Sequence, residues 1–456
     1  MWGLFKKVFG NKKLISGNPT APIQFWVNDP SVPELVKEIP ANSLPSLPMV
    51  VDGYSGSGHK IGTPEWRAAN CYGILVNTMD NIIPKIKKFP NKWAATKQLS
   101  VYPVAGKDLN AFYDRRSLKF FYEFDPVAKK NIYSSDSADI VSHELGHALL
   151  DSIRPDFWNV QSYEIWALHE SFGDIVAITS VLENENVIKY IIKETKGDLL
   201  KSNTVSRLAE QFAKILFNLT KGKGGYNPHS LRDAANEFYY VSPDKLKNDA
   251  PDNVLSRECH NFSRVWTGAW YECLVEIYND SVKNGSSPVQ ALIFARNITF
   301  HYFITAVCQV PMTNKLFDAL AQKMIAIDAD NGSKLSAILT KVFIKRNILS
   351  TDIKSLSSND IFILNSEEPT KKIKISDHFE RSLILNQKLY DLEIEIPSEN
   401  RVEVNKDGIV SLCVRSDFQE NAKIALMCLN TLSTENLIDS LFVIKDNKLT
   451  RQKFIN

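Results

Sequence analysis

The chain has 456 residues, 44% of them hydrophobic and 23% charged, with 54 basic against 52 acidic side chains and a net charge of +2. This is enough apolar material for a full core and enough length for two or three domains. A near-neutral balance removes the electrostatic case for nucleic acid, which needs clustered positive charge, and no apolar run reaches the length of a membrane-spanning helix. The opening stretch, M-W-G-L-F-K-K-V-F-G-N-K-K-L, is basic but lacks the uninterrupted apolar core of a signal peptide. The chain is therefore expected in the cytoplasm, or exported by a route without a classical signal peptide. Residues 1–17 read as a flexible basic tail. Trp2, Phe5 and Phe9 among the lysines of residues 1–14 also offer a weak pattern for contact with a membrane surface.

From Asn18 to Pro48 recurrent prolines predict an extended, irregular segment. The glycine-rich turn between Val50 and Ile61 lacks the lysine of a phosphate loop and reads as an ordinary loop. Apolar residues at helical intervals, Cys71, Ile74, Leu75, Met79, Ile82, Ile83 and Ile86, predict a helix over 68–89. Residues 98–104 and 118–124 read as strands. Later segments at 187–195, 205–219, 262–281, 288–309, 313–328 and 333–347 read as helices, with a glycine-bearing loop at 222–227.

Between these lies Ser142 to Leu149, S-H-E-L-G-H-A-L. Residues four apart share one helix face, so His143 and His147 can both direct a neutral nitrogen at one ion. Glu144 can reach a water on that ion and act as general base. Ser137 or Asp139 suits the start of this helix. The alternative is a surface helix with two solvated histidines. A catalytic zinc takes three protein ligands and leaves a position for water. The mostly apolar stretch Glu164 to Ile178 supplies a third in Glu170, 23 residues beyond His147. Asp174, one turn further on, suits the carboxylate that fixes the tautomer of His143 or His147. His169 points elsewhere on the wheel and reads as structural or outer-shell.

These residues resemble the thermolysin family of zinc metallopeptidases, the gluzincins, in which H-E-x-x-H is followed by a glutamate ligand. Upstream, Leu109 to Tyr113, L-N-A-F-Y, is similar to the family's edge strand, and the resemblance implies that Asn110 and Ala111 hold the substrate backbone. Downstream, Ser230 to Asp233, S-L-R-D, resembles the segment whose arginine binds the carbonyl at the cleaved bond, which implies Arg232. A further 28 residues on, Cys259 to Ser263, C-H-N-F-S, resembles the segment whose histidine stabilises the oxyanion, which implies His260. The resemblance covers about residues 100 to 345. The family's aromatic hydroxyl has only Tyr163 as a poorly aligned counterpart, and the acid orienting His260 is Glu258 or Asp252. Calcium is not supported: Asp139 suits one ligand position, but Glu183 and Glu185 do not align with the rest.

The resemblance implies an α+β, thermolysin-like two-lobe zincin, with a mixed β-rich N-lobe over 18–152, a helical C-lobe over 153–348 and zinc in the cleft. Residues 349–456 lie beyond it. Their alternation, in I-F-I-L, K-I-K-I, L-E-I-E-I, R-V-E-V, I-V-S-L-C-V and L-F-V-I, predicts an extra strand-rich domain with one helix over 418–431 and a turn at Asn405 to Gly408. The six cysteines form no C-x-x-C pair, which excludes a cysteine-built zinc site and favours free buried thiols. The expected function is a zinc-dependent metalloendopeptidase acting on a peptide or protein substrate. Its rivals are a zinc aminopeptidase and a catalytically silent metal-binding module.

Overall fold

The computed structural model describes residues 21–350 apart from 33, 34, 57, 159, 161, 224, 314 and 333, together with short strands beyond 350. The fold mixes helices with small sheets, and its described residues divide into two compact units. The first draws on residues up to 149, 173–197 and 203–233; the second on 150–172, 198–202 and 234 onward.

In the first unit, strands β1 (Ile23–Trp26) and β2 (Val36–Ile39) pair antiparallel, so the proline-rich segment is not irregular throughout. The reason is burial: Ile23 and Phe25 are shielded from water, and Phe25 fills the space where Gly73 carries no Cβ. After β3 (Met49–Val51) comes helix α1 (Pro64–Ile82), which starts earlier and ends earlier than periodicity predicts. Thr63 caps it by accepting the Trp66 N–H, with Pro64 in the first turn. Pro84 has no N–H to continue the ladder, and the chain passes into a short 3-10 turn at Ile83–Lys85.

Strands β4 (Leu99–Tyr102), β5 (Ala111–Tyr113) and β6 (Ser117–Phe120) join β3 in a sheet of order β3-β4-β6-β5. The first three pair in parallel and β5 runs antiparallel along one edge. The single strand expected over 118–124 is in fact two. At Phe121 the backbone leaves the sheet, with its N–H donated to Ser134 Oγ at 2.9 Å, and a hairpin of β7 (Tyr122–Asp125) and β8 (Lys130–Tyr133) follows.

Helices α2 (Ala138–Ile153) and α3 (Tyr163–Val181) each contribute to both units. Helix α4 (Glu185–Thr195) follows, capped by Asn184. The helix expected over 205–219 is interrupted: β9 (Arg207–Leu208) precedes α5 (Glu210–Thr220), with Ala209 between them in the left-handed region at φ 55°. A tertiary contact sets that conformation, because the Ala209 N–H donates to Asp139 Oδ2 at 2.5 Å. β9 pairs with β10 (Arg232–Asp233).

Up to residue 350 the second unit is mainly helical, with α6 (Cys259–Lys283), α7 (Pro288–Gln309), α8 (Leu316–Asp330) and α9 (Ser336–Lys345). Its core is aromatic, with Phe262 stacked on Phe317 and Trp266 on Phe343. Buried Glu164 accepts the Tyr240 hydroxyl and the Phe317 N–H, tying α3 to the start of α8. Among the described residues one single helix, Pro288–Gln309, is long and apolar enough to cross a membrane, and 61% of that stretch is buried inside the protein.

Beyond 350, β11 (Ile373–Lys374), β12 (Glu393–Ile396), β13 (Asn400–Val404) and β14 (Val410–Leu412) form a sheet, and β15 (Leu441–Lys445) pairs with β16 (Lys448–Gln452). Five of the alternating motifs overlap these strands in their described residues. The I-F-I-L strand, the turn at Asn405 to Gly408, the helix over 418–431 and the tail over 1–17 lie outside the described residues.

Candidate metal centre

Helix α2 is buried along most of its length, so its polar side chains need partners. His143 and Glu144 are both within it at 7% and 6% exposure, and His147 is half-buried. One ligand atom from each of the three lies within 4.8 Å of the others. The two imidazole rings stand perpendicular, with centroids 4.7 Å apart.

Asp174 on α3 is fully buried, and its Oδ1 lies 2.9 Å from His143 Nδ1. Arg232, in β10, forks the same carboxylate: Nη2 reaches Oδ1 at 2.6 Å and Nε reaches Oδ2 at 2.9 Å. Its Nη2 is also 3.3 Å from His143 Nδ1. Burial by itself opposes charge on Asp174, but Arg232 and His143 outweigh it and hold the carboxyl below its ordinary range. An ionised Asp174 accepting the Nδ1 proton leaves Nε2 as the nitrogen of His143 with a lone pair to donate.

Sequence reasoning missed two glycines that make this contact possible. A Cβ on Gly173 would meet His143 Nδ1 at 2.6 Å, and one on Gly146 would meet the Gly173 Cα at 2.8 Å. Gly146 lies inside the S-H-E-L-G-H-A-L stretch and Gly173 one residue before Asp174, so a small residue in each helix beside the candidate ligands was the available signal.

Glu170 lies one turn before Asp174 on α3, and its Oε2 is 3.4 Å from His260 Nε2. His260 is in the first turn of α6 and is 57% exposed. Of the two acids considered for orienting it, the structure places Glu258 there, with Oε1 2.6 Å from His260 Nδ1. Partial burial works against the Glu258 charge, but His260 and the Asn261 N–H hold its carboxyl down at about 2. Asn110 immediately precedes β5, and its Oδ1 accepts the Ala111 N–H at 2.8 Å; Ala111 opens the strand at the sheet's edge. The ring of His169 packs edge-on against Trp158, and that of Tyr163 against Trp166.

Asp139 belongs to a different grouping. Ser137 Oγ donates to Asp29 Oδ2 at 2.8 Å and to Asp139 Oδ1; burial raises the carboxyls of Asp29, Asp139 and Glu210, Asp139 and Glu210 raise that of Asp29 further, and Asp139 adds to that of Glu210. The sequence offered no sign that Asp29 and Glu210 would join Asp139. Glu183 and Glu185 are engaged elsewhere, with Lys85 and Lys189. The thiols are not all buried: Cys71 and Cys273 are, Cys259 is half-exposed and Cys308 is exposed.

Two imidazoles with a carboxylate on one of them form a donor set suited to a borderline divalent ion, and zinc fits it. No known family model matches this chain, and no curated protein matches it.

Proposed function

We propose that this protein is a zinc-dependent metalloendopeptidase with a thermolysin-like, two-lobe arrangement. One observation carries the reading: His143, Glu144 and His147 converge on a buried helix, and Asp174 holds His143 by its far nitrogen. In this reading His143, His147 and Glu170 hold the ion. Bound there, zinc would supply Lewis-acid polarisation of a peptide carbonyl and acidify a water molecule.

The chain's own residues do the remaining work. Glu144 takes the proton of the attacking water and passes it to the leaving nitrogen. His260 and Arg232 donate hydrogen bonds to the carbonyl oxygen as negative charge builds on it. Glu258 orients the His260 ring, and Asp174 anchors the Arg232 guanidinium. Asn110 and Ala111 align the peptide as a further strand along the β5 edge.

The test uses terminally blocked peptides, which an endopeptidase cuts and an aminopeptidase does not. Purified wild type should contain zinc and cleave them. Glu144→Gln should keep its zinc and lose on the order of 10²–10⁴-fold in rate. Zinc without cleavage in both proteins would instead identify a silent metal-binding module.

A further inference from the structure

The second unit carries an arginine to which the hydrolytic reading gives no part. Arg257 stands three residues before His260, at the entry to α6, and its backbone N–H donates to the Lys247 carbonyl at 2.9 Å. Its half-buried guanidinium is held on two sides. Nε donates to Asn248 Oδ1 at 2.5 Å, and Cζ lies 5.0 Å from the centre of the Tyr163 ring in α3. No carboxylate among the described residues pairs with it, whereas Arg232 and Arg346 are paired with Asp174 and Glu272. A guanidinium fixed at Nε and against an aromatic ring keeps its two Nη groups for a further partner, and a carboxylate matches that fork.

Helix α3 sets the distance from Arg257 to His260. Tyr163, Trp166 and Glu170 are spaced three and four residues apart and share one helix face. Two contacts join that face to the segment leading into α6: Glu170 Oε2 is 3.4 Å from His260 Nε2, and the Tyr163 ring lies against Arg257. Tyr163 and Glu170 are two turns apart, roughly 10 Å at about 1.5 Å per residue. An extended peptide covers that length in about three residues of ~3.3 Å each. Between the two contacts stands Trp166, 39% exposed and edge-on to Tyr163, an apolar surface for the side chain in between.

We propose that Arg257 is a specificity residue that selects peptides carrying an acidic side chain two or three residues from the carbonyl on which His260 acts. Because an endopeptidase substrate continues in both directions, the carboxylate is that of an aspartate or glutamate and not of a chain end. Tyr163 and Asn248 hold the guanidinium ready, and Trp166 receives an apolar side chain next to the acid. What is cut rests on the hydrolase reading; what is bound does not. Spacing along the chain hides this subsite, because Tyr163 and Arg257 are 94 residues apart.

The experiment gives the full zinc-loaded chain terminally blocked peptides that differ only in Asp or Asn at one position, scanned outward from the cleaved bond in both directions. Wild type should favour Asp by about tenfold in kcat/KM at a position two or three residues from the bond. Arg257→Gln should abolish the preference, and Arg257→Glu should turn it towards Lys at the same position. An arginine with only a structural part would lower the rates on all these peptides alike. A parallel measurement needs neither cleavage nor a variant: by fluorescence anisotropy, wild type should bind the labelled Asp peptide about tenfold tighter than the Asn peptide, with the gap narrowing as salt rises. Equal kcat/KM and equal affinity for the two peptides, or an Asp preference that survives in Arg257→Glu, overturns the proposal while cleavage itself keeps the hydrolase reading. If wild type cleaves neither peptide, the hydrolase reading fails and the affinity ratio alone decides whether Arg257 recognises the acid.

Discussion

Asp174 Oδ1 lies 2.9 Å from His143 Nδ1, and the same fully buried carboxylate is forked by Arg232. One anion thus sets the tautomer of His143 and neutralises a guanidinium. Asp174→Asn keeps the shape but removes the charge that favours a proton on Nδ1. It should weaken zinc binding by about 10–100-fold, read by competition with a chelating dye. Asp174→Ala should go further and cost about 3–5 kcal/mol in urea unfolding, because it removes the buried carboxylate that forks the part-buried Arg232.

Gly173→Ala places a methyl carbon 2.6 Å from the His143 ring nitrogen. The ring must turn away from Asp174 or the helices must separate. Either response should cost about 1–3 kcal/mol in thermal unfolding and lower zinc affinity together with it. Gly146→Ala, whose added carbon meets helix backbone, should also destabilise; if both variants match wild type, the close crossing is not needed.

The Asp29 carboxyl is pushed up to about 7 from an ordinary 3.8, first by burial and then by Asp139 and Glu210. The charged groups around the cluster are Asp139, Glu210 and Arg207, with Glu194 beyond Arg207. The folded chain therefore holds a proton that the unfolded chain releases. Below 3.8 both states hold it, and no stability depends on this group. From about pH 4 to about pH 7 stability should fall as pH rises, and above that the loss is complete. Asp29→Asn cannot ionise, so it should raise the unfolding free energy at about pH 8, by as much as about 4 kcal/mol, and change it little near pH 4. A uniform shift across the whole range would remove the titration from the account.

Glu272 on α6 meets Arg346 Nε at 2.6 Å, and both side chains are nearly closed to water at 3% and 5% exposure. Lys345 meets the other oxygen from a position 62% exposed. Glu272→Ala should cost about 3–5 kcal/mol by stranding a buried guanidinium. Lys345→Ala should cost under about 1 kcal/mol, since water screens that pair. Equal losses in urea unfolding would contradict this division.

The local order of much of this molecule is legible along the chain. Helices α6 and α7 lie close to the ranges their apolar spacing predicts, because a long buried helix leaves a strong periodic trace. The errors cluster where a distant group intervenes. Ala209 turns left-handed to meet Asp139, and Phe121 leaves its sheet for Ser134; neither partner is near in sequence. In the same way the proline-rich segment forms a hairpin because α1 gives Ile23 and Phe25 somewhere to pack.

The candidate site divides along the same line. His143, Glu144 and His147 are legible in sequence because helical geometry alone puts side chains four residues apart on one face. Which carboxylate meets which imidazole is not. Asp174 on His143, Arg232 on Asp174, Glu258 and Glu170 on opposite nitrogens of His260, and Asp29 beside Asp139 all depend on how separate elements pack. The sequence by itself determined which candidate side chains share one face of α2, since that follows from backbone periodicity. Only the tertiary structure decided the partners and the proton positions, because burial and charge act through space and not along the chain.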